Sequence, residues 1–311
     1  MPAVAISPAK RITRSAPSHS WNGRGYAWTA VFIGSGLPEI VCREFAIGAG
    51  TWLILSQTIV LLGLAIIAVK LRPIGNPAGF ILAIAAMQFA WHVAVPWIEA
   101  SNVAHFASQY LNWSGRFFLS RAIRTVGAVF MIFTLIGSGT NRDELFLRIG
   151  NWRSPVKAEP FLRFRRPISW SRFALALLLI FGVLLPVYLY STLHPRIQDA
   201  RWLFSVLPWA LATSALNAAN EEFQFRSVLL ARLRNVIPLK EACLLTGVFF
   251  GLNHYFGQPS GWSGVFMAGI AGWIWAKSMV ETRGLSCAFA IHFIQDLVIF
   301  VFLALSVGTK A

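Results

Sequence analysis

The sequence predicts an all-α, polytopic membrane protein. Of its 311 residues, 56% are hydrophobic and only 13% are charged, whereas soluble domains carry about a quarter charged residues. The mean hydropathy is +0.61. A soluble fold of this length cannot hide that much apolar surface, but a chain whose perimeter faces lipid has no need to. The apolar residues also fall in runs of about 20, the length that crosses a hydrocarbon core about 30 Å thick. Most Lys and Arg residues lie between these runs.

Residues 1–26 are polar, basic and rich in Ser, Pro and Gly, without a convincing signal-peptide pattern, and read as a disordered tail. The run at 27–42 is interrupted by Gly34, Gly36, Pro38 and Glu39, so it is either a crossing or an interfacial segment. Crossings follow at 49–69, 78–98 and 117–137, which completes an N-terminal helical group over 27–137. Residues 138–172 hold eight Lys and Arg against three acidic residues and form a basic loop. The last part, 173–307, contains runs at 173–190, 202–219, 242–256, 262–279 and 285–307. The expected total is eight crossings, or nine if 27–42 also spans.

The charges orient these elements. Cytoplasmic loops carry excess Lys and Arg, so 138–172, 220–240 and the Lys70–Arg72 turn should face the cytoplasm and the lightly charged GQPSG turn at 257–261 the opposite side. With nine crossings the basic N-terminal tail is also cytoplasmic. A net charge of +15 would suit nucleic acid, but no recognition motif is present and the distribution fits loops facing anionic headgroups, so no nucleic-acid partner is expected. Cys42, Cys243 and Cys287 are far apart and form no CxxC pair, which argues against a disulfide framework.

Ionisable groups at membrane depth cost about 2.5–3.5 kcal/mol each and persist where they face a cavity and find partners. Here they cluster. The 202–219 run continues into the glutamate segment, so Glu221, Glu222 and Arg226 lie on the end of that helix; Asn253 and His254 lie near the end of 242–256, and His292, Gln295 and Asp296 lie inside 285–307. Glu222 and Arg226 are four apart and can pair on one helix face, which turns Glu221 about 100° away and leaves it free. His292 and Asp296 are also four apart, so the carboxylate can fix the imidazole's tautomer. Phe250 stands one turn before His254 and can pack beside it.

Two chemistries fit. In one, Glu221 takes a proton from a water that attacks a peptide carbonyl, while His254 and His292 stabilise the oxyanion or hold the water. In the other, Glu221, His254 and His292 bind a divalent metal such as zinc, which acidifies the water; the one-helix HExxH motif is absent. Taken singly, each group also fits a structural role, as an ion pair, an interfacial histidine or an interhelical staple. Arg121 and Arg124, three apart, suit either snorkelling to headgroups or contact with a substrate's acidic terminus.

EEFQFR at 221–226 matches EExxxR, FGLNH at 250–254 matches FxxxH, and HFIQD at 292–296 matches Hxxx[ND]. In order and spacing these motifs resemble the CPBP family, the CAAX-protease and bacteriocin-processing intramembrane endopeptidases. The glycine-bearing run with Gly264, Gly269 and Gly272 is similar to the small-residue helix before that family's last motif. The resemblance covers roughly 202–306. It implies a helical core with a conical cavity open to the cytoplasm and to lipid. It also implies Glu221 as the water-activating base, His254, His292 and Asp296 as its catalytic partners, and Glu222 and Arg226 in support. The implied substrate is a membrane-tethered peptide, and a metal requirement stays open. The rival expectations are a non-catalytic scaffold or immunity protein of the same fold, and a transporter using the same residues as a proton relay.

Overall fold

Each apolar run folds as helix, because in lipid only intrahelical hydrogen bonds satisfy the backbone. The computed structural model describes residues 21–71, 76–136, 138–160, 162, 166–195 and 200–307. The tail expected at 1–26 lies outside them up to residue 20, as do Arg72, Arg163 and Arg165. Residues from Trp21 onward are already helical.

The N-terminal group comprises α1 (Trp21–Gly34), α2 (Leu37–Glu44), α3 (Thr51–Leu71) and α4 (Ala78–Phe89). The α4 helix runs through a π-helical turn at Ala90–Ala94 into α5 (Val95–Glu99), followed by α6 (Asn102–Gln109), α7 (Trp113–Ile123) and α8 (Val126–Leu135). After the basic segment come α9 (Trp170–Leu193), α10 (Ala200–Glu222), a second π-helical turn at Phe223–Val228, α11 (Leu229–Leu233), α12 (Leu239–Leu252), α13 (Gly261–Thr282) and α14 (Ser286–Val307). Among the described residues the only β pairings are two isolated bridges, Pro155–Ser169 and Glu159–Leu162.

Among the described residues six helices are long and apolar enough by themselves to cross a membrane, fewer than the eight or nine crossings expected: Thr51–Leu71, Ala78–Glu99, Trp113–Leu135, Trp170–Leu193, Trp202–Leu233 and Ser286–Val307. The runs at 242–256 and 262–279 are helices that fall short of this. α12 has only 14 residues, and α13 is diluted by Gly, Trp and Lys277. Their most extensive packing is on each other. Gly247 and Gly269 meet backbone to backbone, and a Cβ at Gly247 would lie 2.9 Å from the Gly269 carbonyl. Small residues at such crossings let helices approach closely.

The fifth run continues into the glutamate segment, as expected, and on to Leu233, which leaves 234–238 as the turn. Gln224, Phe225, Arg226, Ser227 and Val228 are all buried in succession, so of the 220–240 charges expected to face the cytoplasm, Arg226 is enclosed by protein.

The basic segment is docked on the C-terminal helices. Asn151 N–H donates to the Thr282 carbonyl (2.7 Å) and Leu285 N–H to that of Arg148 (2.9 Å). Trp152 Nε1 donates to Ser286 Oγ (2.7 Å). A charge cluster, buried except for the exposed Lys240, joins the same parts: Glu159 accepts from Lys240 (2.5 Å) and Lys277 (3.2 Å), and Lys277 also pairs with Glu281 (2.6 Å). Burial alone would raise the Glu159 carboxyl, but hydrogen bonds and charge from Lys240 and Lys277 hold it below the ordinary glutamate range.

Candidate active site

The π-helical turn begins where Glu221 and Glu222 end α10. Such turns recur at functional sites, where the extra residue re-aims side chains. Glu222 and Arg226 pair as their spacing predicts, with Oε1 and Nη1 3.1 Å apart and both side chains fully buried. The guanidinium lies over the rings of Phe250 (3.9 Å) and Trp275 (4.9 Å), contacts that attract a cation. Gly272 makes the room: a Cβ there would lie 2.7 Å from Arg226 Nη2 and 3.1 Å from Phe250 Cδ1.

Glu222 has a second partner. His292 Nδ1 sits 2.8 Å from the same Oε1. His292 Nε2 faces Glu221 Oε2 at 3.7 Å and Asp296 Oδ1 at 3.5 Å. The carboxylate that fixes the ring through Nδ1 is therefore Glu222, while Asp296 stands at the other nitrogen and accepts from Asn217 Nδ2 at 2.9 Å. Trp275 stacks flat on the imidazole, with centroids 4.1 Å apart and 12° between planes.

His254 Nδ1 lies 2.9 Å from the Phe250 carbonyl, and the two rings touch at 4.0 Å. A carbonyl only accepts, so Nδ1 carries a proton, and in the neutral form of the ring the lone pair is on Nε2. Asn253 Nδ2 donates to the Phe249 carbonyl (2.8 Å).

Glu221, His254, His292 and Asp296 line one cavity of about 630 Å³, together with Phe250, Asn253 and Gln295. Glu222 and Arg226 are absent from its lining and stand behind it, so the structure separates the two adjacent glutamates by position. Sequence reasoning missed Asn217 and Trp275, and left Arg121 and Arg124 between two readings. Both arginines line the cavity. Asn217 stands one turn before Glu221 and was detectable from that spacing, whereas nothing in the sequence marks Trp275. Among the described residues no three His, Cys, Asp or Glu side chains are gathered to hold a metal ion. Glu221, His254 and His292, the set expected if a metal were bound, are not gathered as such a group.

The fold and site define a class: an integral, multi-pass helical membrane protein with a carboxylate- and histidine-lined cavity among its helices. Residues 202–298 match the family model described as Rce1-like, Type II CAAX prenyl endopeptidase Rce1-like. This segment, which holds all three motifs, thus carries an Rce1-like domain, in keeping with the CPBP resemblance. Comparisons with curated proteins and with solved structures gave no match.

Proposed function

We propose that the protein is an intramembrane endopeptidase that hydrolyses a peptide bond in a membrane-tethered substrate, with Glu221 as general base. The observation that carries this reading is the meeting of Glu221, His254, His292 and Asp296 on one cavity. The family description, a prenyl endopeptidase, supports the same reaction class.

The geometry divides the labour. Neutral His254, with its Nε2 lone pair, accepts a hydrogen bond from the attacking water and holds it beside Glu221. Glu221 takes the water proton as oxygen attacks the carbonyl carbon. His292 faces carboxylates through both nitrogens, and an Nε2–H directed at the cavity serves as the donor to the developing oxyanion. Glu222, held by Arg226, fixes the His292 ring, and Asn217 holds Asp296. The proton on Glu221 then passes to the leaving amine. Arg121 and Arg124 present positive charge to the same space and suit an anionic group on the substrate. We also read α1 and α2 together as one traverse and α12 and α13 as two more, which makes nine passages with the N-terminal end at the basic face.

The test is hydrolysis without a gradient. Purified protein in detergent, added to membranes from cells lacking it, should release a peptide whose new carboxyl carries ¹⁸O from labelled water. Absence of any product there, with ion-coupled flux in sealed liposomes instead, would replace the peptidase by a transporter.

A further inference from the structure

The cavity does not sit centrally between the two faces of the bundle. Four contacts place one end of α9, α12, α13 and α14 on a common face. Trp170 Nε1 donates to Glu281 (2.9 Å), Lys240 pairs with Glu159 (2.5 Å), Asn151 N–H donates to the Thr282 carbonyl (2.7 Å), and Trp152 donates to Ser286 (2.7 Å). This is the face that carries the basic segment 138–172. Distances from it follow from the helical rise of about 1.5 Å per residue. On α9 the cavity residues Ile180 and Tyr188 stand about 15 and 27 Å from the Trp170 end; on α14, His292 and Leu303 stand about 9 and 25 Å from Ser286.

The two ends of the cavity differ. Toward the basic face lie Arg226, Phe225, Leu229, Leu230 and Trp275, each at most 1% exposed, which forms a packed floor. At the other end the lining includes Tyr188, Leu303 and, in the turn that joins α12 to α13 on the far side, Phe256, Gly257, Gln258 and Pro259. Phe256 is 46% exposed, and Leu184 on α9 and Met267 on α13, beside it in the far half, are 62% and 51% exposed, so the mouth extends down the side of the bundle.

We infer that substrate enters this cavity from the face opposite the basic segment. Excess Lys and Arg mark the cytoplasmic side, so the opening belongs to the extracytoplasmic half of the membrane. The substrate class is then a membrane-anchored peptide presented outside the cytoplasm. This differs from the cytoplasmic opening that the family resemblance implies. The substrate class rests on the peptidase reading; the side of entry does not.

The test is site-directed labelling in intact cells with a membrane-impermeant maleimide. The unsubstituted chain, whose three cysteines are buried, serves as the blank. Ser260→Cys on the far turn and Gln258→Cys at the cavity mouth should react in intact cells as fully as after permeabilisation. Arg153→Cys in the basic segment should react only after permeabilisation. Phe256→Cys, on the same exposed turn, gives the same reading if the Ser260 variant does not accumulate. The inference is overturned if the far-turn cysteines need permeabilisation, or if Gln258→Cys needs it while Ser260→Cys does not. None of these readouts depends on cleavage, so a failed peptidase assay and a misplaced opening are separable results.

Discussion

The Glu222–Arg226 pair is the most heavily buried charge in the site, and its removal has a calculable consequence. The paired atoms are 3.1 Å apart and both side chains are 0% exposed. At an effective dielectric of about 20, two unit charges at that distance attract by about 5 kcal/mol. Breaking a buried pair by removing one partner typically costs about 3–5 kcal/mol, because the other charge is left uncompensated. Glu222→Gln should fall at the upper end, since none of the guanidinium nitrogens of Arg226 makes another side-chain or backbone hydrogen bond. Arg226→Met should cost less, because His292 remains 2.8 Å from Glu222 and shares its charge. The double variant removes both charges and keeps an apolar fill, so it should be more stable than the sum of the singles predicts by about 2–3 kcal/mol. Reversible unfolding in mixed micelles, titrated with a denaturing detergent and followed by tryptophan fluorescence, gives all three values. Additivity within about 0.5 kcal/mol would refute the picture of two charges that depend on each other. Activity separates the roles further: Glu222→Gln also loosens His292, so it should reduce turnover more than Arg226→Met does at equal folded protein.

Other consequences follow from the same geometry. Gly272→Ala places a methyl 2.7 Å from Arg226 Nη2 and 3.1 Å from Phe250, so it should destabilise by about 1–3 kcal/mol in the same unfolding titration. His292→Ala should lower the cleavage rate by about 10²–10³ through loss of one oxyanion donor, and His254→Ala by about 10²–10⁴ through a misplaced water; time courses at saturating substrate check both. The Glu159 carboxyl is held below its ordinary range by Lys240 and Lys277. Its stabilising contribution should therefore be fully present above the unfolded glutamate pKa and fade as acidity takes the pH through the lower folded value. The stability gap between wild type and Glu159→Gln should close on that acid side; a gap unchanged from neutrality down through the glutamate range would contradict it.

Much of this arrangement was legible in the sequence, for identifiable reasons. Runs of about 20 apolar residues force helices, and spacings of four put Glu222 with Arg226 and His292 with Asp296 on shared faces. Crossing number was less legible, because α12 and α13 pack on each other through glycines and so do not need the hydropathy of a lipid-facing helix. The fifth helix was expected to run into the glutamate segment, and it does; how far it goes on was not legible, because a π-helical turn, which no residue pattern announces, carries the chain to Leu233. The bond from His292 to Glu222 was hidden for another reason. It joins residues seventy positions apart, and local spacing pointed to the nearer acid, Asp296. The cavity roles of Arg121 and Arg124 depended on how the N-terminal helices pack against the core, which the motifs do not encode.

The central claim is that the Glu221 carboxylate drives hydrolysis of a peptide bond in the membrane. Glu221→Gln keeps the size of the side chain and removes the base, so its measurement is the most direct. Membranes from cells expressing wild type and from cells expressing equal amounts of folded Glu221→Gln are compared by quantitative mapping of protein termini. The account predicts at least one processed terminus present with wild type and missing with the variant. Identical sets of termini, with both proteins folded to the same level, would contradict it.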